Sequence, residues 1–245
     1  MRLKMKRKMK RNKISNLLLI LSATLFLVTC NSQKLNSKQQ EYNDQRKSEF
    51  KDYLITKKIP FTTVNDSIFN AYYSDFLDDE LKLKLEENPH LKVNKVYVHY
   101  RTPTSVEFSI YSDKGTVCLS TFDLDIDNKI LSFPENGIIK ILEPIKVEDF
   151  GNFEIKGNVI KTRKRQLSPF NETYYYVNGT VNNDTIHYTE RYVGKEKKFE
   201  KKTFSKTFKE DFKEIYQPSL KAVQYKQGKY LVSYIVTGEF KVENP

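Results

Sequence analysis

The chain has no tryptophan, two cysteines and three histidines among its 245 residues. Two cysteines, Cys30 and Cys118, cannot build a disulfide framework. The histidines, His90, His99 and His187, are far apart in sequence. A zinc site needs at least three converging protein ligands, so half-buried or solvent-facing imidazoles are the expectation, with no metal. All eight glycines are isolated, which excludes a phosphate-cradling loop. The signatures H-E-x-x-H, G-x-S-x-G and C-x-x-C are missing too. Ser48-Glu49-Phe50-Lys51 matches S-x-x-K, but without the S-D-N and K-T-G elements that complete that chemistry. The lack of tryptophan also lowers a glycan-capture reading. These absences favour a non-enzymatic binding or structural module with no cofactor. The alternative is a hydrolase whose site is assembled from scattered residues.

Charge is abundant but uneven. The net charge of +11 includes eight basic residues between Arg2 and Lys13, a stretch with no acid. Residues 30–245 keep 34 basic against 31 acidic residues, so the excess belongs mainly to the N-terminus and gives no argument for nucleic-acid binding.

That N-terminus has an ordered set of features. A basic segment from Met1 to Lys13 precedes an apolar run, Leu17-Leu18-Leu19-Ile20-Leu21 and Leu25-Phe26-Leu27-Val28. The run suits a signal peptide and is short for a membrane span. It ends at Leu27-Val28-Thr29-Cys30, which resembles the lipobox of bacterial lipoproteins, with Thr29 where Gly, Ala or Ser is usual. The resemblance covers the leader alone. It implies that residues 1–29 are removed and that Cys30 carries the lipid, making the membrane a partner. Two or three acyl chains anchor stably, at roughly 0.8 kcal/mol per buried methylene. Asn31 follows the cysteine where Asp would favour inner-membrane retention, and residues 31–40 contain no acid. The expected address is the cell envelope, on an outer membrane and facing the periplasm.

Beyond a polar tether at 30–40, the pattern predicts a helix over Glu41–Lys58, ended by Pro60, and a second from Asp66 as N-cap. Ile68, Phe69, Tyr72, Tyr73, Phe76 and Leu77 give the second its apolar stripe. From residue 93 the period becomes two. Val96, Val98 and Tyr100, then Val106, Phe108 and Ile110, then Val117, Leu119 and Thr121 predict an antiparallel meander. Further strands are expected at Phe153–Ile160, Tyr174–Val181 and Thr185–Tyr192, and a hairpin from Lys221 to Phe240. Phe204, Phe208, Phe212 and Ile215, spaced four, four and three, predict a short amphipathic helix before Pro218. The expected fold is α+β: N-terminal helices followed by mainly antiparallel sheet, with that helix before a C-terminal hairpin. Glu143-Pro144 is a candidate joint between parts 41–145 and 146–245, which can equally form one continuous domain.

Three constellations bear on binding. Asp123-Leu124-Asp125-Ile126-Asp127-Asn128 looks like a calcium loop, yet Asn128 and Pro134 stand where Gly and Glu are required; a strand with one wet face fits better. The basic stretches Lys161–Arg165 and Lys195–Lys209 read as solvated faces over core phenylalanines, the alternative being contact with anionic headgroups or wall polymer. Tyr174, Tyr175 and Tyr176 fall on both faces of one strand, giving a candidate patch for an unknown protein or envelope ligand.

Overall fold

The structure, a computed structural model, describes residues 37–124, 129–169, 171–195, 199–201, 205–227 and 231–241. The leader and Cys30 lie outside the described residues, as do residues 125–128 of the calcium-like segment. Two compact units divide at Phe76/Leu77, so the candidate joint at Glu143-Pro144 falls inside the second.

In the first unit, helix α1 (37–56) lies against the first part of α2 (Asp66–Glu86). Phe50 and Leu54 of α1 and Phe76 of α2 are buried together. The rings of Tyr53, Phe69 and Tyr73 surround Phe50 at 5.3–6.2 Å between centroids. The cap of α2 is Asn65 rather than Asp66: its Oδ1 accepts the Ile68 amide at 3.0 Å, satisfying one of the donors a helix start leaves orphaned.

The second unit corrects the expected fold class. It is mainly β, and its largest sheet closes on itself. In chain order the strands are β1 (Val96–Thr102), β2 (Ser105–Tyr111), β3 (Thr116–Asp123), β4 (Ile138–Lys140), β5 (Ile145–Val147), β6 (Asp149–Lys156) and β7 (Val159–Ser168). They continue with β8 (Asn171–Asn182), β9 (Thr185–Lys195), β10 (Glu200–Lys201), β11 (Thr207–Tyr216), β12 (Lys221–Gln227), β13 (Leu231–Thr237) and β14 (Glu239–Lys241). Strands β1, β2, β3, β6, β7, β8, β9 and β11 pair in that order, each antiparallel to the next, and β11 returns to β1. The result is an eight-stranded barrel, an arrangement that leaves no free edge among its staves.

The segment expected to be an amphipathic helix is the stave β11. Its phenylalanines are four residues apart, and four is a multiple of the strand period as well as close to the helical one. Phe208 pairs with Arg191 and Phe212 with Tyr188. Between them a bulge at Glu210 and Asp211 absorbs the mismatch with β9. Barrel closure, which needs a partner for both β9 and β1, decides between the two periods.

Partners across a ladder share a face, so register sorts the staves into an inward and an outward set. Outward on β1–β3 lie Val96, Val98, Val106, Phe108, Ile110 and Cys118. They pack on a second, three-stranded sheet (β12-β13-β5) through Ile145, Val147, Val232, Tyr234 and Val236, with Ile139, Phe240 and Leu131 completing that core. Inward at one end lie Tyr97, Tyr111, Val117, Phe153, Ile155, Ile160, Val181, Ile186 and Tyr188. Leu85 at the end of α2 and Leu91 in the following loop join this second core. The barrel therefore has an apolar end, filled by side chains. Because β1–β3 are covered on both sides, Ser109 and Glu107 are buried although their alternation with Val106, Phe108 and Ile110 reads as a wet face.

Gly151 and Gly179 are among the glycines required by crowding. A Cβ on Gly151, beside the bulge where β6 meets β3, would stand 2.1 Å from the Arg163 carbonyl oxygen. One on Gly179 would stand 2.8 Å from the His187 oxygen.

Candidate functional site: the charged mouth of the barrel

Moving along the staves from the apolar end, the inward residues become polar and then charged. The transition is centred on Glu214 of β11. Ser109 Oγ donates to Glu214 Oε1 at 3.0 Å and Tyr111 Oη donates to Oε2 at 2.5 Å. The Tyr188 hydroxyl stands 2.6 Å from that of Tyr111. Since Tyr111 gives its one proton to the carboxylate, Tyr188 donates to Tyr111. Three staves are thus linked by one hydrogen-bonded chain. Burial raises the Glu214 carboxyl to about 7; the Tyr111 and Ser109 hydrogen bonds oppose the shift and the charge of Glu107 reinforces it. Both tyrosine hydroxyls are pushed well above their ordinary range, first by burial and then by the charge of Glu214.

One ring of residues further out sits Glu107 of β2, paired by register with His99 of β1 and Thr121 of β3. It is 8% exposed. Thr121 Oγ1 donates to its Oε2 at 3.4 Å, and Arg101 Nη1 lies 3.9 Å from the same atom. Burial raises the Glu107 carboxyl, against the opposing pull of Arg101 and Lys164. Register turns Lys164 of β7 inward, opposite Tyr175 of β8, and its Nζ stands 4.2 Å from the Phe150 ring centroid. The far wall is built from Tyr175, Arg191 and Phe208 on the adjacent staves β8, β9 and β11. Arg191 lies over the Phe208 ring at 5.6 Å and binds Glu210 at 2.9 Å. Tyr175 and Phe208 are 37% and 44% exposed, so both offer ring surface at the rim.

His99 has a separate task. β1 and β11 are paired only at Tyr97–Tyr216 and Val98–Ile215. Beyond that point the ladder stops, and His99 Nδ1 approaches the Lys213 carbonyl oxygen at 3.0 Å while its ring packs on Phe212 at 4.9 Å. The imidazole replaces a missing ladder bond and, acting as donor, carries its proton on Nδ1. Burial lowers its pKa, opposed by the Lys213 hydrogen bond and aided by Arg101.

The candidate tyrosines separate. Tyr176 is fully buried and stacks on Tyr192 with ring centroids 5.4 Å apart. Tyr174 lies outside the barrel beneath Arg163 and donates to Glu172 at 2.7 Å. Only Tyr175 of the three turns to the mouth. The basic run Lys161–Arg165 is split the same way: Lys161, Arg163 and Arg165 face outward, and Lys164 faces in. Sequence reasoning missed Arg101, Glu107, Arg191 and Glu214. The signal available for Glu107 was a charged residue inside an otherwise apolar alternation, which reads as solvent exposure unless closure is known.

Outside the barrel, His187 Nε2 pairs with Asp211 Oδ1 at 2.8 Å beside a shallow depression of about 440 Å³ that Thr189, Lys209 and Glu210 also line. Among the described residues no three His, Cys, Asp or Glu side chains converge as metal ligands, and no helix is long and apolar enough to cross a membrane.

Fold and site together define a closed antiparallel barrel, solid at one end and charged at the other, backed by a smaller sheet. Compared with known proteins, the chain matches no family model, no curated protein and no solved structure.

Proposed function

We propose that this chain is a lipid-anchored cell-envelope protein whose barrel mouth binds a small ligand. The observation that carries the reading is Glu107: a nearly buried carboxylate set between Arg101 and Lys164, in a mouth whose rim carries the exposed rings of Tyr175 and Phe208. Burying charge is costly, and the apolar end meets the needs of stability without it. Eight-stranded barrels have room for one small ligand at most when side chains do not fill them. Here the buried apolar side chains that face inward end at Tyr111 and Tyr188, and beyond them Phe150, Val177 and Phe212 are only partly buried. The anchor rests on the lipobox-like Leu27–Cys30, and an outer membrane facing the periplasm is the address that Asn31 and the acid-free stretch after it favour.

Two experiments test this. Mass spectrometry of the mature N-terminus should find acylated Cys30 as the first residue, and Cys30→Ser should release the protein from membranes; retention of that variant would refute the anchor. A thermal-shift panel of small peptides, sugars and carboxylates should contain compounds that raise the Tm, with the rise lost in Tyr175→Ala. A panel without effect would refute the binding site.

The second reading, a hydrolase, draws on Glu107 and Glu214 flanking the stave that carries His99. Binding is favoured because Glu214 is buried and already accepts from Ser109 and Tyr111, which ties it to the barrel wall away from solvent.

A further inference from the structure

We propose that the mouth takes a small organic monoanion with a flat ring, its carboxylate lying between Arg101 and Lys164 and its ring against Tyr175 and Phe208. This rests on the binding reading above and gives it a chemical class.

The charge balance of the mouth sets the sign. Arg191 is matched by Glu210 at 2.9 Å. Glu107 is a single carboxylate facing two cations, Arg101 and Lys164. Lys206 adds a cation 5.0 Å from the Phe208 ring, and Asp123, on the same face of β3 as Thr121, adds a carboxylate; four cations then face three carboxylates, an excess of one positive charge. Arg101 is also poorly used: its approach to Glu107 at 3.9 Å is beyond hydrogen-bond range. A guanidinium fork free of a tight partner suits two-pronged recognition of a carboxylate. A cationic ligand would meet this excess directly. A multiply charged anion would meet Glu107 and Glu210 as well, so one negative charge fits best.

The walls set the body of the ligand. Tyr175 presents ring surface at the rim, and Phe208 presents the part of its ring that Arg191 and Lys206 leave uncovered. Stacked or edge-on packing against such rings favours a flat partner. Depth limits its size, because Tyr97, Tyr111 and Tyr188 are fully buried and fill the barrel below.

The test uses the full chain, labelled with 15N and held in zwitterionic detergent micelles. Phenylacetate is titrated beside its neutral and cationic counterparts, phenylacetamide and phenethylamine. Phenylacetate should move the amide signals of Arg101, Thr121, Lys164 and Tyr175, and added salt should weaken it. R101Q and K164Q should each reduce its affinity about tenfold, the loss of one charge-assisted hydrogen bond. If either counterpart binds these residues as well as phenylacetate, the charge assignment is overturned while the mouth stands as a binding site. If none of the three moves them, both readings fall.

Discussion

Tyr111 and Glu214 are 103 residues apart in sequence and 2.5 Å apart in space, joined by a hydrogen bond from phenol to carboxylate inside a closed barrel. Neither residue touches its partner through the backbone ladder, since β1 lies between their staves. The bond spans the barrel interior, so it reports closure more directly than any strand pair.

Its first consequence is a pH dependence of stability. The Glu214 carboxyl is raised from 4.5 to about 7 in the fold. Between those values the native state keeps a proton that the unfolded chain has released, so stability falls as pH rises from about 4.5 to about 7 and then levels off. The full effect is on the order of 3 kcal/mol. Glu214→Gln, which stays neutral, should remove this component. Urea unfolding of both proteins at pH 5 and pH 8 gives the comparison; identical pH slopes would show that Glu214 does not titrate in this window.

Phe108 is fully buried between the barrel and the second sheet, with the rings of Phe122 and Phe240 at 5.8 and 5.5 Å. Phe108→Ala should cost about 3–5 kcal/mol of unfolding free energy. Phe208→Ala, at the exposed rim, should cost less than half of that. Equal losses would mean that the outer core is not where the folding free energy is concentrated.

Gly151→Ala places a methyl group 2.1 Å from the Arg163 carbonyl oxygen, a backbone atom that cannot swing aside. A destabilisation of at least about 2 kcal/mol is expected, at the upper part of the overpacking range. Chemical denaturation gives the number, and a variant within 0.5 kcal/mol of the parent, roughly the scatter of neutral surface changes, would contradict the close approach of β6 and β7.

Cys118 is buried on β3, its Sγ 3.2 Å from the Val232 carbonyl oxygen, and burial pushes its thiol up to about 12. A protonated, enclosed thiol is a poor nucleophile. Alkylation by iodoacetamide at pH 8 should therefore label Cys118 only in denaturant. Rapid labelling of the native protein would place the thiol at the surface.

Much of the sheet was legible and its closure was not. Val96, Val98, Val106, Phe108 and Ile110 announce strands because alternate apolar residues must share a face. What alternation leaves open is the nature of the other face. Glu107 and Ser109 read as wet, and the interior that receives them exists only once eight staves meet. The segment Thr207–Tyr216 was ambiguous for a related reason: Phe208 and Phe212 satisfy both periods, and the pairing with β9 and β1 that selects the strand is supplied from far away in sequence. The candidate site shows the same limit. Tyr175 could be singled out within a tyrosine run, whereas Arg101, Arg191 and Glu214 become neighbours of one mouth only through register.

The short junction between β1 and β11, two residue pairs long and patched by His99, joins staves more than a hundred positions apart. A chain delivered across a membrane with its amino end first would have the first stave on the far side long before the last one follows. Until Tyr216 arrives, the growing sheet is an open strip with two unpaired borders and its aromatic lining uncovered. Loss of residues 221–245 would spare all eight staves yet remove β12 and β13 from the backing sheet, together with β14. Loss of the last forty residues would leave the strip unsealed.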